Sequence, residues 1–114
     1  MKLSFSNKWD RYRKMHRLNW RHISRAQKAE VRADATTNQL IRILAKQKGR
    51  CCYCHCITDD LTLEHIVPIS KGGSHTAENI AFACLCCNER KADRDPFDFK
   101  KNGYSAMFLL NFGR

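Results

Sequence analysis

Two cysteine pairs constrain this chain more than any other feature. Cys51 and Cys54 form one C-x-x-C, Cys84 and Cys87 a second, and 29 residues lie between them. Each pair sets two thiols on one side of a tight turn, and two such turns supply the four thiolates of one tetrahedral zinc. A redox dithiol needs one pair, so a second, distant pair argues for structural zinc instead. Cys52, Cys56, Cys86 and His55 lie beside the four and compete as ligands, so the spacing leaves the register of ligation open. At 114 residues the chain is one small domain, with or without an arm, and a metal staple supplements the modest core of such a domain.

Charge supplies the next constraint. The net charge is +10, and residues 1–50 carry fourteen Lys or Arg against three Asp or Glu, while residues 51–114 carry seven against eight. The excess therefore belongs to the N-terminal half and points to a polyanion, with DNA as the expected partner. Arg11, Arg13, Lys14, Arg17, Arg21 and Arg25 are the candidates in that half, and Arg90 and Lys91 follow the second cysteine pair. A generic solvated basic face is the alternative. No run approaches the ~18 apolar residues needed to span a bilayer. The N-terminus has no apolar segment of a secretory leader, so the expectation is an intracellular, cytoplasmic protein with reduced thiols. No feature of the sequence names a protein partner.

The order of elements follows from periodicity and punctuation. In NKWDRYRKMHRLNWRH, Trp9, Tyr12, Met15 and Leu18 recur every third residue, which predicts one stripe on a basic helix. SRAQ, Ser24 to Gln27, and TTNQ, Thr36 to Gln39, both have the form of a capping box. The second precedes Leu40, Ile43, Leu44 and Gln47, an amphipathic helix that should end near Gly49. Leu61–Val67 reads as a strand and NIAFAC as another, joined by PISKGGSHTAE, where Gly72 and Gly73 are free to take positive φ. LCCNERKAD reads as a helix that stops at Pro96, and DPFDF opens a short further helix. Phe97, Phe99, Phe108 and Leu109 read as core cover. The organisation expected is a basic helical arm over residues 1–36 and a domain over residues 37–114.

CCYC followed by LTLEHIVPISKGGSHTAENIAFACLCCNERK resembles the zinc-knuckle branch of the HNH endonucleases. The resemblance runs from Gly49 to about Lys91. It implies an α+β fold with a ββα-metal core, stapled by the four-cysteine zinc site of Cys51, Cys54, Cys84 and Cys87. It sets the first His of the family name on His65, the Asn on Asn79 and the last position on Asn88. It implies that Asn79 braces the loop behind His65. The residue before the catalytic His is more often Asp in that family, and here it is Glu64.

The chemistry expected from these residues is phosphodiester hydrolysis. It requires an activated water, neutralised phosphate charge and a stabilised leaving oxygen. His65 titrates near neutrality and serves as the general base. Glu64 and Asn88 offer a carboxylate and an amide oxygen, hard donors suited to a catalytic Mg²⁺ or Mn²⁺ that handles the charge on phosphate. Adjacent strand residues face opposite ways, so a bend near Glu64 and His65 is expected to bring both to one site. Arg90 and Lys91 are expected at phosphate, and His75 has no assigned role. The reading is a metal-dependent DNA endonuclease of a bacterial cell or phage-infected host. The alternatives are a zinc-stabilised nucleic-acid-binding module without activity and a zinc-stapled protein adaptor.

Overall fold

The structure, a computed structural model, describes residues 4–92. The expected DPFDF helix and the four apolar residues between Phe97 and Leu109 lie outside the described residues. Three helices, α1 (Lys8–Lys28), α2 (Thr37–Gln47) and α3 (Leu85–Lys91), surround a two-stranded antiparallel sheet of β1 (Leu61–His65) and β2 (Ile80–Cys84). The fold is α+β. Among the described residues no helix is long and apolar enough to cross a membrane.

The first helix is longer than its sequence signals suggest. Asn7 caps it by accepting the Asp10 N–H at 2.8 Å, and the helix then runs unbroken to Lys28. Ser24 therefore lies inside α1, where the backbone N–H groups ahead of it already have helical partners, and the SRAQ capping box goes unused. The aromatic stripe also divides. Met15 and Leu18 are buried in the core, whereas Trp9 is 72% exposed and Tyr12 is 42% exposed. Along α1, Met15, Leu18, Asn19 and Ala26 make the inward face. This helix is thus built into the main core and is not a detached arm.

The second helix follows its sequence signals closely. Thr36 accepts the Gln39 N–H at 3.1 Å, and the Gln39 side chain accepts the Thr36 N–H at 2.9 Å, a complete capping box. Lys48 and Gly49 take positive φ and end the helix. Gln47, 2% exposed, then stands in for a neighbouring strand: its amide donates to the Phe82 carbonyl at 2.8 Å and accepts the Phe82 N–H at 2.9 Å. The Cys52 N–H also reaches the Phe82 carbonyl, at 3.0 Å. These bonds satisfy the edge of β2 that β1 does not cover, and they tie α2 and the first cysteine turn to the sheet.

The sheet register is unbroken, pairing Leu61 with Cys84 and every residue onward to His65 with Ile80. The strand expected over Leu61–Val67 runs only to His65: the Ile66 N–H still reaches its in-register partner, the Asn79 carbonyl, at 2.9 Å, but the Val67 N–H turns to the Asn79 side chain at 2.8 Å. No bulge bends β1 at Glu64. Between the strands the chain makes two 3₁₀ turns, Ile69–Lys71 and Ala77–Asn79. The two glycines of this loop serve different needs. Gly72 takes φ +87, a conformation that side chains resist, while a Cβ on Gly73 would stand 1.8 Å from the Val67 carbonyl oxygen. Gly73 is thus required for close approach, and the expectation of positive φ holds only for Gly72.

Candidate active site

The two cysteine turns converge. The sulfurs of Cys51, Cys54, Cys84 and Cys87 all lie within 4.8 Å of one another. A tetrahedral zinc with arms of about 2.3 Å has sulfur–sulfur edges of about 3.8 Å, and Cys54 and Cys84 stand 3.9 Å apart. Four soft thiol donors at these separations fit zinc in both number and type. The Cys51 thiol is pulled down to about 4, first by a hydrogen bond from Cys52 and then by backbone N–H groups, so it is ready to ligate as thiolate. Cys52 is buried beside it as a thiol that burial pushes up. Cys56 and Cys86 are exposed outside the set, although Cys56 approaches Cys54 to 3.2 Å.

The cysteine cluster sits at the open end of the sheet hairpin, where Leu61 pairs with Cys84. Cys84 is the last residue of β2 and the N-cap of α3, and its sulfur accepts the Cys87 N–H at 3.4 Å. Asn88 follows directly. Thr62 on β1 spends its hydroxyl proton on the Ala83 carbonyl, 3.1 Å away, so its oxygen accepts from Asn88 Nδ2 at 2.6 Å. That bond sets the amide orientation and leaves Asn88 Oδ1 as the remaining donor atom for a cation.

Glu64 and His65 go to different partners, as neighbours on a regular strand must. Glu64 meets the first cysteine turn and α3: the Tyr53 hydroxyl donates to its Oε2 at 3.1 Å, and the Lys91 ammonium lies 3.4 Å from the same atom. Burial raises the Glu64 carboxyl, while Lys91 and Tyr53 pull it back. His65 meets α1 and the loop. Its Nε2 stands 2.9 Å from His75 Nδ1, and its ring centroid is 5.2 Å from that of His22. Burial, then the neighbouring His22 and His75, depress its pKa to about 3, well below the near-neutral titration expected from the sequence, so His65 is neutral at physiological pH.

Both side chains nonetheless border one polar cleft of about 270 Å³, whose walls also include His22, Arg25, Ser70 and Asn88. The cleft forms at the end of β1 because the chain turns away there at Pro68, so no bend within the strand is needed. Glu64 and Asn88 present a carboxylate and an amide oxygen to it, a donor set that suits a hard divalent cation completed by water. Such an ion would share Glu64 with Lys91.

Asn79 is not among the described cleft residues. Its side chain accepts the Val67 N–H at 2.8 Å and donates to the carbonyls of Val67 and Ser74 at 3.0 and 2.7 Å. It thereby clamps the segment that leaves His65. Lys91 corrects an expectation: it is fully buried against Glu64 and the His65 carbonyl, so its ammonium is not placed for phosphate outside the cleft, whereas Arg90 is exposed. Arg13, Arg17, Arg21 and Arg25 are exposed along α1, while Arg11 is half-buried and Lys14 pairs with Asp10 at 3.1 Å.

Three cleft-side residues had no role in the sequence reading. His22 lies in the basic half with no pattern to mark it. Tyr53 sits inside the first cysteine turn, where it reads as filler. His75 was visible in the glycine loop, but its partner Asn19 is 56 residues away.

No curated protein matches the chain. The family model described as HNH endonuclease matches residues 51–102. Within that span lie both cysteine turns, the end of β1 and the Asn79 clamp, and this segment belongs to the HNH endonuclease family.

Proposed function

We propose that the protein is a metal-dependent DNA endonuclease in which His65 is the general base. The observation that supports this best is the meeting of Glu64, His65 and Asn88 on one polar cleft walled by a basic helix. Neutral His65 accepts the proton of a water that attacks phosphorus. Glu64 and Asn88 hold a divalent ion, Mg²⁺ or Mn²⁺, which when bound supplies charge neutralisation at the phosphate and leaving oxygen. Arg25 borders the cleft and Arg13, Arg17 and Arg21 extend along the same helix, a path for the DNA backbone. The four cysteines, holding zinc, fix α3 against the sheet and so position Asn88.

The Lys91–Glu64 pair favours a second reading. An ammonium 3.4 Å from the carboxylate already neutralises it, which suits a zinc-stabilised nucleic-acid-binding module without cleavage. Plasmid cleavage across a Mg²⁺ and Mn²⁺ titration decides between them. His65→Ala should lower the rate by ~10²–10⁴ and leave DNA affinity intact. Asn88→Ala should regain part of its loss at higher metal. A parent protein that binds DNA but cuts with no divalent ion would establish the second reading.

A further inference from the structure

Asn19, His75 and His65 form a buried hydrogen-bonded line from α1 into the cleft. Each partner's role can be assigned from the one before it. Asn19 Nδ2 donates to the Ala35 carbonyl at 2.9 Å, which sets the amide so that Oδ1 faces His75 Nε2 at 2.6 Å. An amide oxygen only accepts, so His75 Nε2 carries the proton. Neutral His75 then has its lone pair on Nδ1, and the partner of that lone pair, His65 Nε2 at 2.9 Å, must be the donor. His65 is thereby left with its own lone pair on Nδ1. Among the described residues His65 Nδ1 makes no hydrogen bond, and the side chain borders the cleft.

The line is held at several points. Asn19 is 4% exposed and His75 is fully buried. The His75 N–H donates to the Arg32 carbonyl at 2.8 Å, and its carbonyl accepts the Ala35 N–H at 3.1 Å. His22 stacks on the His75 ring at a centroid distance of 5.8 Å. The orientation of the His75 ring is therefore set by α1 and the segment after it, both outside the span that the family model matches.

The geometry points to His75 as the positioning residue that, with Asn19, locks His65 in the Nε2–H tautomer and presents Nδ1 as the proton acceptor. This rests on His65 being the base. The consequence is that the N-terminal helix is part of the catalytic apparatus: it dictates which nitrogen of the strand histidine is basic. A histidine in the other tautomer would offer an N–H where a lone pair is needed.

The test uses the zinc-loaded full chain labelled with ¹⁵N-histidine at pH 7.5, where the rings are neutral. Long-range ¹H–¹⁵N correlation should show His65 and His75 both protonated on Nε2, with coupling across the His65 Nε2–H···Nδ1 His75 bond. This needs no variant, so a misfolded mutant cannot obscure it. A His65 protonated on Nδ1 in the parent overturns the proposal. His75→Leu removes the acceptor and should give mixed His65 tautomers, with kcat for plasmid cleavage down about 10–100-fold and KM unchanged. His75→Asn keeps an acceptor oxygen near the Nδ1 position and should restore the tautomer and much of kcat. Unchanged His65 signals in a folded His75→Leu protein overturn the proposal while leaving the nuclease reading intact. The expected tautomers in a parent that cuts no DNA would instead uphold the hydrogen-bonded line and remove the nuclease reading.

Discussion

The Tyr53 hydroxyl donates to Oε2 of Glu64 at 3.1 Å, from a position between two cysteines of the metal centre. The cysteine turn is therefore connected to the cleft by one buried hydrogen bond. Folding of the first turn and charge on the cleft carboxylate are linked through it. Tyr53 is 2% exposed and Glu64 is 6% exposed, so the bond is largely shielded from bulk water.

Tyr53→Phe should destabilise the protein by about 1.5–3 kcal/mol, the range for a hydrogen bond to a charged group. The bond lowers the Glu64 carboxyl, so its loss should leave Glu64 easier to protonate. Urea unfolding in excess zinc at neutral pH, compared with the parent, measures the effect. Equal midpoints would mean that the bond carries no net stability.

Serine in place of Cys51, Cys54, Cys84 or Cys87 should release zinc and unfold the hairpin, because a structural zinc is part of the folding free energy. Cys56→Ser and Cys86→Ser should do neither, since both side chains are exposed outside the set. Metal analysis of freshly purified protein with far-UV circular dichroism separates the two groups. One bound zinc per chain is expected in the parent.

Deleting the basic half is a poor test of DNA binding, because Met15, Leu18 and Asn19 leave with it. Neutralising exposed charges is the better one. Changing Arg13, Arg17 and Arg21 together to Gln should keep the fold, as all three are exposed. If each meets one phosphate, the slope of log affinity against log salt should become shallower by roughly 0.9 for each arginine–phosphate pair removed. A slope equal to the parent's would place the DNA elsewhere.

Acid should destabilise the protein through its histidines. His22 is depressed from 6.5 to about 4, chiefly by burial, then by His75, Arg25 and Arg21. His75 is also depressed, to about 4, by burial. The native state holds these rings neutral, so below pH 6.5 the unfolded chain binds protons that the native state refuses. Stability should therefore fall as pH drops from about 6.5, and flatten only near 3, where His65, the most depressed ring, protonates in the native state after His22 and His75. His22→Phe keeps a ring against His75 and forfeits no hydrogen bond at Nδ1, which has no partner among the described residues. Its urea midpoint should fall less than the parent's over that pH range. Zinc loss at low pH affects both proteins alike, so the difference between them is the readout.

Local chemistry was legible in the sequence wherever it depends on neighbours. The Thr36–Gln39 capping box, the two strands and the helix after Cys84 all follow from spacing over a few residues, and so does the presence of two C-x-x-C turns. Which four of the seven cysteines come together, and the register in which the strands pair, emerged only in the folded chain. Other features also lay beyond the sequence because they depend on contacts between distant segments. Ser24 has the form of a cap, yet α1 is already hydrogen-bonded there. Lys91 reads as a surface charge, yet packing of α3 on β1 buries it against Glu64. Gly73 is set by the path of the Val67 carbonyl, which no local rule reveals. Most of all, only the tertiary structure joined Asn19 to His75 and His65. A hydrogen bond between residues 56 positions apart leaves no periodic trace, because its geometry is fixed by how α1 packs and not by the residues beside it.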